Sequence, residues 1–201
     1  MSSDLDAEAL AKAAAQAHVV RVLRETAAAH ERMTSNVGVV VKAAAAIAES
    51  LKAGCTVWAF GNGGSAADAQ HFVAELVGRY KKERKGLRAV ALTTDSSVLT
   101  AVGNDYGFDQ VFARQIEALV HRGEIALGIS TSGNSPNVLR ALEAAKKYGA
   151  VSIALTGRGG EAGRIADYHI AVDEDDTPRV QEVHITLLHI LCELVEMELT
   201  D

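Results

Sequence analysis

Cysteine and proline are nearly missing from this sequence, with two of each in 201 residues. The cysteines, Cys55 and Cys192, sit in apolar stretches without metal-ligand spacing, which excludes a disulfide framework and a cysteine zinc site; both are expected as small buried hydrophobes. Two prolines leave no proline-rich linker, and no repeat or composition break appears, so the chain reads as one domain over residues 1–201. A net charge of -6 and the lack of any basic, aromatic-interleaved stretch argue against nucleic-acid and anionic-membrane partners. There is no run of eighteen apolar residues, and Met1-Ser2-Ser3-Asp4 does not begin a charged-then-apolar leader, so the expected location is cytoplasmic. No glycine-rich loop ends in Gly-Lys-Ser/Thr, which excludes a nucleotide P-loop.

What is present is the composition of a packed globule, 48% apolar and 23% charged. Residues from about 5 to 53 are alanine-rich with apolar positions at helical spacing, predicting two helices, 5–32 and 37–53, before any strand. Strand and helix patterns then alternate. Strands are expected at 56–60, 89–92, 125–130, 151–155 and 168–172. Helices are expected at 66–80, 108–121, 136–148 and 178–199, with short ones near 97–102 and 162–166. Such alternation predicts an α/β three-layer sandwich, a five-stranded parallel sheet covered by helices on both faces. Ligands of such sheets bind beyond the carboxyl ends of the strands.

Two loops fall there. The apolar run Val57-Trp58-Ala59-Phe60 leads into Gly61-Asn62-Gly63-Gly64-Ser65, and the helix that follows carries His71 and Glu75 one turn apart on one face. A strand, a glycine turn and a helix start point backbone N–H groups at an anion. An imidazole beside a carboxylate moves protons or holds a divalent metal. The same turn, and Gly157-x-Gly159-x-x-Ala162, fit a dinucleotide pattern, but the acidic residue expected about 20 positions on falls in the charge run Lys81-Lys82-Glu83-Arg84-Lys85. Taken alone, this glycine turn is as well explained by a ligand-free strand-to-helix connection. The second loop, Ser130-Thr131-Ser132-Gly133-Asn134-Ser135-Pro136, gathers four hydroxyls at a helix start, with Ser135 as N-cap and Pro136 as first helical residue. One hydroxyl suffices for a cap, so the loop reads better as a phosphate cradle. The last helix places Gln181, His184 and His189 beside an apolar face of Val180, Val183, Leu187, Leu188, Leu191, Leu194 and Val195.

Five segments, Gly61–Ser65, Ala69-Gln70-His71-Phe72 with Glu75, Gly103-Asn104-Asp105-Tyr106-Gly107, Ser130–Ser135, and Gln181-Glu182 with His189, occur in an order that resembles the phosphoheptose isomerases of the sugar isomerase (SIS) fold over nearly the whole chain. The resemblance implies a flavodoxin-like SIS domain and a zinc-binding, cytoplasmic homotetramer with one zinc per subunit. It implies interconversion of sedoheptulose 7-phosphate and D-glycero-D-manno-heptose 7-phosphate through an enediolate, on the way to heptose for lipopolysaccharide and other cell-surface polysaccharide. By the same resemblance Ser130, Thr131, Ser132 and Ser135 hold the phosphate. Asn62, Gly63, Gly64, Ser65, Asn104, Asp105, Glu75 and Gln181 contact the sugar. His71, Glu75, Gln181 and His189 surround the metal, and Glu75 and His189 transfer protons.

Two other readings belong to different classes: a non-catalytic SIS scaffold associating with a replication initiator, and a sugar-phosphate sensor. The scaffold relative lacks an acidic residue at the position of Glu75 and lacks the late-helix histidine, so the presence of both favours the enzyme. Gln181 and His189 are also eight positions apart, about 12 Å and 80° on an ideal helix. Helix geometry alone pairs Gln181 with His184, whereas the resemblance selects His189. An irregular helix start, or a site shared between subunits, resolves the conflict. The alanine-rich helices offer faces for helix packing, predicting a homo-oligomer, a tetramer, with sites near its interfaces.

Overall fold

Each apolar stretch between glycine-rich turns becomes a buried strand that runs into a helix. The computed structural model describes residues 2–199, with side chains described from residue 10 onward. Helices α1 (Ser2–Arg32) and α2 (Val37–Lys52) are joined by a 3-10 turn at Met33–Asn36. Then follow β1 (Val57–Gly61), α3 (Gly64–Val77), β2 (Ala89–Ala91), α4 (Ser96–Tyr106), a 3-10 turn at Phe108–Gln110, and α5 (Ala113–Leu119). The chain continues through β3 (Ile125–Ser130), α6 (Pro136–Lys147), β4 (Val151–Thr156), α7 (Ala162–Ile165), β5 (Tyr168–Ala171) and α8 (Thr177–Leu199).

All five strands are parallel, in the order β2-β1-β3-β4-β5. This is the flavodoxin-like order, with its switch point between β1 and β3, and a crevice for ligand opens there because the two chains leave the sheet toward opposite faces. The central strands β1, β3 and β4 are buried on both sides, so alternate residues feed two cores. Val57, Ala59, Leu127, Ile129 and Leu155 face one core with Ile47 of α2, Phe72 and Leu76 of α3, and Val183, Leu188 and Leu191 of α8. Trp58, Phe60, Ala126 and Ala154 face the other with Ile116 of α5 and Val138 and Leu142 of α6. The three layers expected from the sequence are thereby formed.

Several boundaries differ. The helix expected at 66–80 begins two residues earlier and ends at Val77, leaving 79–85 irregular. The short helix near 97–102 extends to Tyr106, so Asn104 and Asp105 lie in its last turn. The helix expected at 108–121 is split between the 3-10 turn and α5, because Gly107 (φ 91°) restarts the chain after α4. Cys192 is buried as expected, and burial, then the Glu75 and Glu196 carboxylates, push its thiol up to about 12. Cys55 is half-exposed rather than buried, since it lies in the turn between α2 and β1.

Helix α1 meets the body along α8. Thr26 Oγ1 donates to Glu182 at 2.7 Å, and His30 Nε2 lies 2.9 Å from Thr186 Oγ1. Its N-terminal part presents Leu10, Val19, Val20 and Leu23 to solvent. Among the described residues, no helix is long and apolar enough to cross a membrane.

Candidate active site

The turn after β1 needs two glycines. Gly63 holds φ 55°, a conformation L side chains rarely adopt, at the cap of α3. At Gly64 a Cβ would stand 2.5 Å from Gln181 Nε2, so the Gln181 carboxamide occupies the space a side chain would take. Ser65 is buried under the same turn. Asn62 points across the switch point: its amide and that of Asn137 exchange two hydrogen bonds of 2.8 Å each. This reciprocal pair ties the first loop to the start of α6. The side-chain amide expected to hold sugar hydroxyls is therefore engaged with Asn137.

The second loop gathers its hydroxyls as expected. Ser130 Oγ lies 2.9 Å from Ser135 Oγ and 3.5 Å from Ser132 Oγ, and Ser132 Oγ accepts the Asn134 N–H at 3.1 Å. Ser130 is buried, Thr131 and Ser135 are half-buried, and Ser132 is exposed. One expectation is corrected. Ser135 stands at the N-cap position of α6 and Pro136 follows at the first helical position, yet the Ser135 side chain makes no cap bond. Its hydroxyl faces Ser130 instead, and the Val138 and Leu139 N–H groups donate to the Ser135 carbonyl at 3.0 Å each.

Two parallel helices build the third part. Residues Gly64, Asp68, His71 and Glu75 share one face of α3. His71 Nε2 lies 3.2 Å from Glu75 Oε1 and 2.9 Å from His189 Nε2 of α8, and the three ligand atoms all lie within 4.8 Å of one another. Two imidazoles and a carboxylate are the donor set of a catalytic zinc site with its fourth position open. Nitrogens about 2.0–2.1 Å from a tetrahedral ion stand about 3.3 Å apart, so the 2.9 Å pair needs only a small opening to admit one.

Not every expected residue joins this cluster. Gln181 lies against Gly64, seven residues or about 10 Å along α3 from His71. Helix α8 starts at Thr177, four residues before Gln181, so an irregular start does not bring Gln181 to His189. Glu75 and His189 meet within one chain, so the shared-site expectation does not concern that pair. Asn104 and Asp105 hydrogen-bond to each other at 2.7 Å at the exposed end of α4. His184, the partner that helix spacing alone selects, is fully buried, and neither ring nitrogen makes a hydrogen bond. Burial pushes its imidazole down to about 4, with the neighbouring Thr156 backbone opposing, so it is a neutral core residue.

Two residues near these groups escape sequence reasoning. Asn137, 2% exposed, carried no signal beyond its place after Pro136. Asp68 did carry one, its spacing of three from His71. Burial raises its carboxyl to about 6 against the opposing charge of His71, and its Oδ2 is buried without a hydrogen-bond partner.

Hydroxyls at a helix start and an imidazole–carboxylate cluster, both reached from the switch point of one parallel sheet, define a sugar-phosphate-handling α/β domain. The chain belongs to the SIS-domain family, whose model matches residues 21–157. Within it, the chain falls among the phosphoheptose isomerases. It is 60% identical to that of Aquifex aeolicus over 158 residues, 78% of this chain and 83% of the relative. The phosphoheptose isomerase structure from Neisseria gonorrhoeae superposes with a TM-score of 0.80 at 43% identity, covering 92% of this chain and 98% of that one. The one from Francisella tularensis gives 0.80 at 38%, covering 84% and 91%.

Proposed function

We propose that this chain is an aldose–ketose isomerase that interconverts sedoheptulose 7-phosphate and D-glycero-D-manno-heptose 7-phosphate, supplying heptose for cell-surface polysaccharide from the cytoplasm. The observation that carries the reading is the meeting of His71, Glu75 and His189 within 4.8 Å on α3 and α8, two turns along α3 from the glycine turn at the switch point beside the hydroxyl loop. Relatives named phosphoheptose isomerase support the substrate.

In the ketose-to-aldose direction, Glu75 takes the proton from C1 and returns it to C2. The electron pair of the broken C1–H bond forms the C1–C2 double bond of the enediolate and then the new C2–H bond. His189 gives a proton to the C2 oxygen and takes one from the C1 oxygen, so no atom is gained or lost. Glu75 has two oxygens; Oε1 faces His71, which leaves Oε2 for the carbon-bound proton. A zinc ion held by His71, Glu75 and His189 would stabilise developing negative charge on the oxygens. Ser130, Thr131, Ser132 and Ser135 hold the phosphate. Gly63, Gly64 and Gln181 border the sugar at the start of α3, with Ser65 beneath them, and Asn104 and Asp105, at the exposed end of α4, bind its hydroxyls.

The reading includes a homotetramer. Supporting it are the exposed apolar residues of α1 and an apolar groove lined by Met33, Val37, Val41, Leu187, Ile190 and Leu194. The replication-initiator scaffold is not favoured, since a scaffold needs no clustered acid and base.

The test is incubation with sedoheptulose 7-phosphate and detection of an aldoheptose phosphate, with and without a chelator. Turnover lost on chelation and restored by zinc supports both parts of the reading. No aldoheptose product from metal-loaded protein overturns it.

A further inference from the structure

Glu196, 1% exposed near the end of α8, is surrounded by donors. Its Oε1 accepts the Tyr80 N–H at 2.9 Å and Arg84 Nε at 3.1 Å, and its Oε2 accepts the N–H groups of Lys81 and Lys82 at 2.9 Å each. Arg84 in turn donates to the carbonyls of Glu75 at 2.8 Å, Leu76 at 2.9 Å and Gly78 at 3.2 Å. Those carbonyls end α3 and have no helical partner of their own. One buried ion pair thus binds the irregular segment 79–85 to the ends of both helices that carry the His71–Glu75–His189 cluster.

A surface turn can satisfy its amides with water, and burying an ion pair carries a desolvation cost. What the arrangement delivers is the placement of Tyr80. Its ring lies 5.4 Å from the His189 ring at an interplanar angle of 20°, a stacked pair, and the Lys81 ammonium, bonded to Glu193 at 2.8 Å, lies 5.3 Å from the same ring. The His189 ring then meets His71 edge-on, with centroids 5.0 Å apart at 62°. The last torsion of a histidine is broad, whereas a proton-transfer or ligating imidazole must be held within about 10–20°. A flat ring stacked on it removes that freedom.

We propose that Glu196 and Arg84 are positioning residues that fix Tyr80 as a plate against His189, and that the plate sets the imidazole toward His71 and Glu75. The proposal rests on the reading of His189 as a proton-transfer and metal-binding residue, and goes beyond it in assigning what orients that ring.

The test uses full-length protein with 13C-labelled histidine, metal-free for NMR and zinc-loaded for kinetics. A stacked tyrosine shifts ring protons upfield, so wild type should show one upfield histidine signal that disappears in His189→Asn. Tyr80→Phe should keep that signal and the turnover. Tyr80→Leu and Glu196→Gln should lose the signal and lower kcat about 10–100-fold, as loss of outer groups that orient a ligating histidine does, with KM unchanged. If Glu196→Gln does not fold, Tyr80→Leu decides alone. A Tyr80→Leu protein with kcat intact overturns the proposal. So does a Glu196→Gln protein of lower melting temperature with the upfield signal and kcat both intact, since the ion pair is then only structural. Full turnover in His189→Asn removes the catalytic reading of His189, while loss of the upfield signal in Glu196→Gln still reports whether the ion pair holds Tyr80 against the ring.

Discussion

Replacing Ser135 by alanine separates two uses of one hydroxyl. As an N-cap, its removal would cost about 1 kcal/mol of stability and leave substrate untouched. In this chain the residue has cap-like backbone angles, φ -64° and ψ 118°, but its hydroxyl lies 2.9 Å from Ser130 and makes no cap bond. Folding therefore loses one neutral hydrogen bond, about 0.5–1.5 kcal/mol. With Ser132 Oγ 3.5 Å from Ser130 Oγ as a substitute partner, the cost belongs at the lower end. That is a shift of only about 1–3 °C in Tm for a chain of this size. A bond to a charged phosphate is worth more, about 1.5–3 kcal/mol, or about 10–150-fold in affinity. The phosphate does not react, so the loss should appear in KM with kcat nearly unchanged. Steady-state kinetics with sedoheptulose 7-phosphate, beside thermal denaturation of the same preparations, reads both numbers. A clear fall in Tm with wild-type KM would return Ser135 to plain turn chemistry and refute the cradle.

Three further outcomes are expected. Glu75→Gln should fold and bind substrate but turn over about 10²–10⁴-fold more slowly, the usual cost of a lost general base; wild-type kcat would leave Glu75 as a ligand or structural residue only. Mixing Glu75→Gln with His189→Ala protein under subunit exchange should restore no activity, because the two residues meet within one chain; recovered turnover would place them on different subunits. Asp68 has its carboxyl raised from 3.8 to about 6 by burial, so the folded state holds this proton more tightly than the unfolded state. Its contribution to stability is thus full below pH 3.8 and lost as pH rises through 6. Metal-free Asp68→Asn should therefore melt above wild type at pH 7, with the gap closing toward pH 4; a gap independent of pH would contradict the burial argument.

The strands, the two loops and the His71–Glu75 pair were legible because each follows from short-range rules: apolar runs, glycine punctuation and the spacing of one helical turn. The sheet order was not derivable from those rules, although alternation required it to be parallel. Ser135 shows where local reasoning stops. Its sequence context is that of a cap, and only the nearby Ser130 hydroxyl, brought by β3, redirects it. Asn137 was invisible because its partner Asn62 lies 75 positions away on another strand's loop. Glu196 carries no local signal, since nothing near it in sequence says that three amides of segment 79–85 will close over it.

The eight-residue gap between Gln181 and His189 looked like a conflict in sequence, and the parallel packing of α3 and α8 gives it a meaning. Gly64 and His71 are seven apart on α3, Gln181 and His189 eight apart on α8, and the first members of each pair touch, as do the second. The two helices therefore frame a strip about two turns, or roughly 10–12 Å, long. One end is the glycine turn beside the hydroxyl loop, and the other is the imidazole–carboxylate cluster. On the proposed reading the phosphate on C7 is held at the first end and C1 and C2 react at the second, so the substrate must be long enough to join them. Chain length then enters as a condition on catalysis rather than on phosphate binding. A shorter sugar phosphate would still bind through its phosphate and fail to present its carbonyl to Glu75, acting as an inhibitor instead of a substrate.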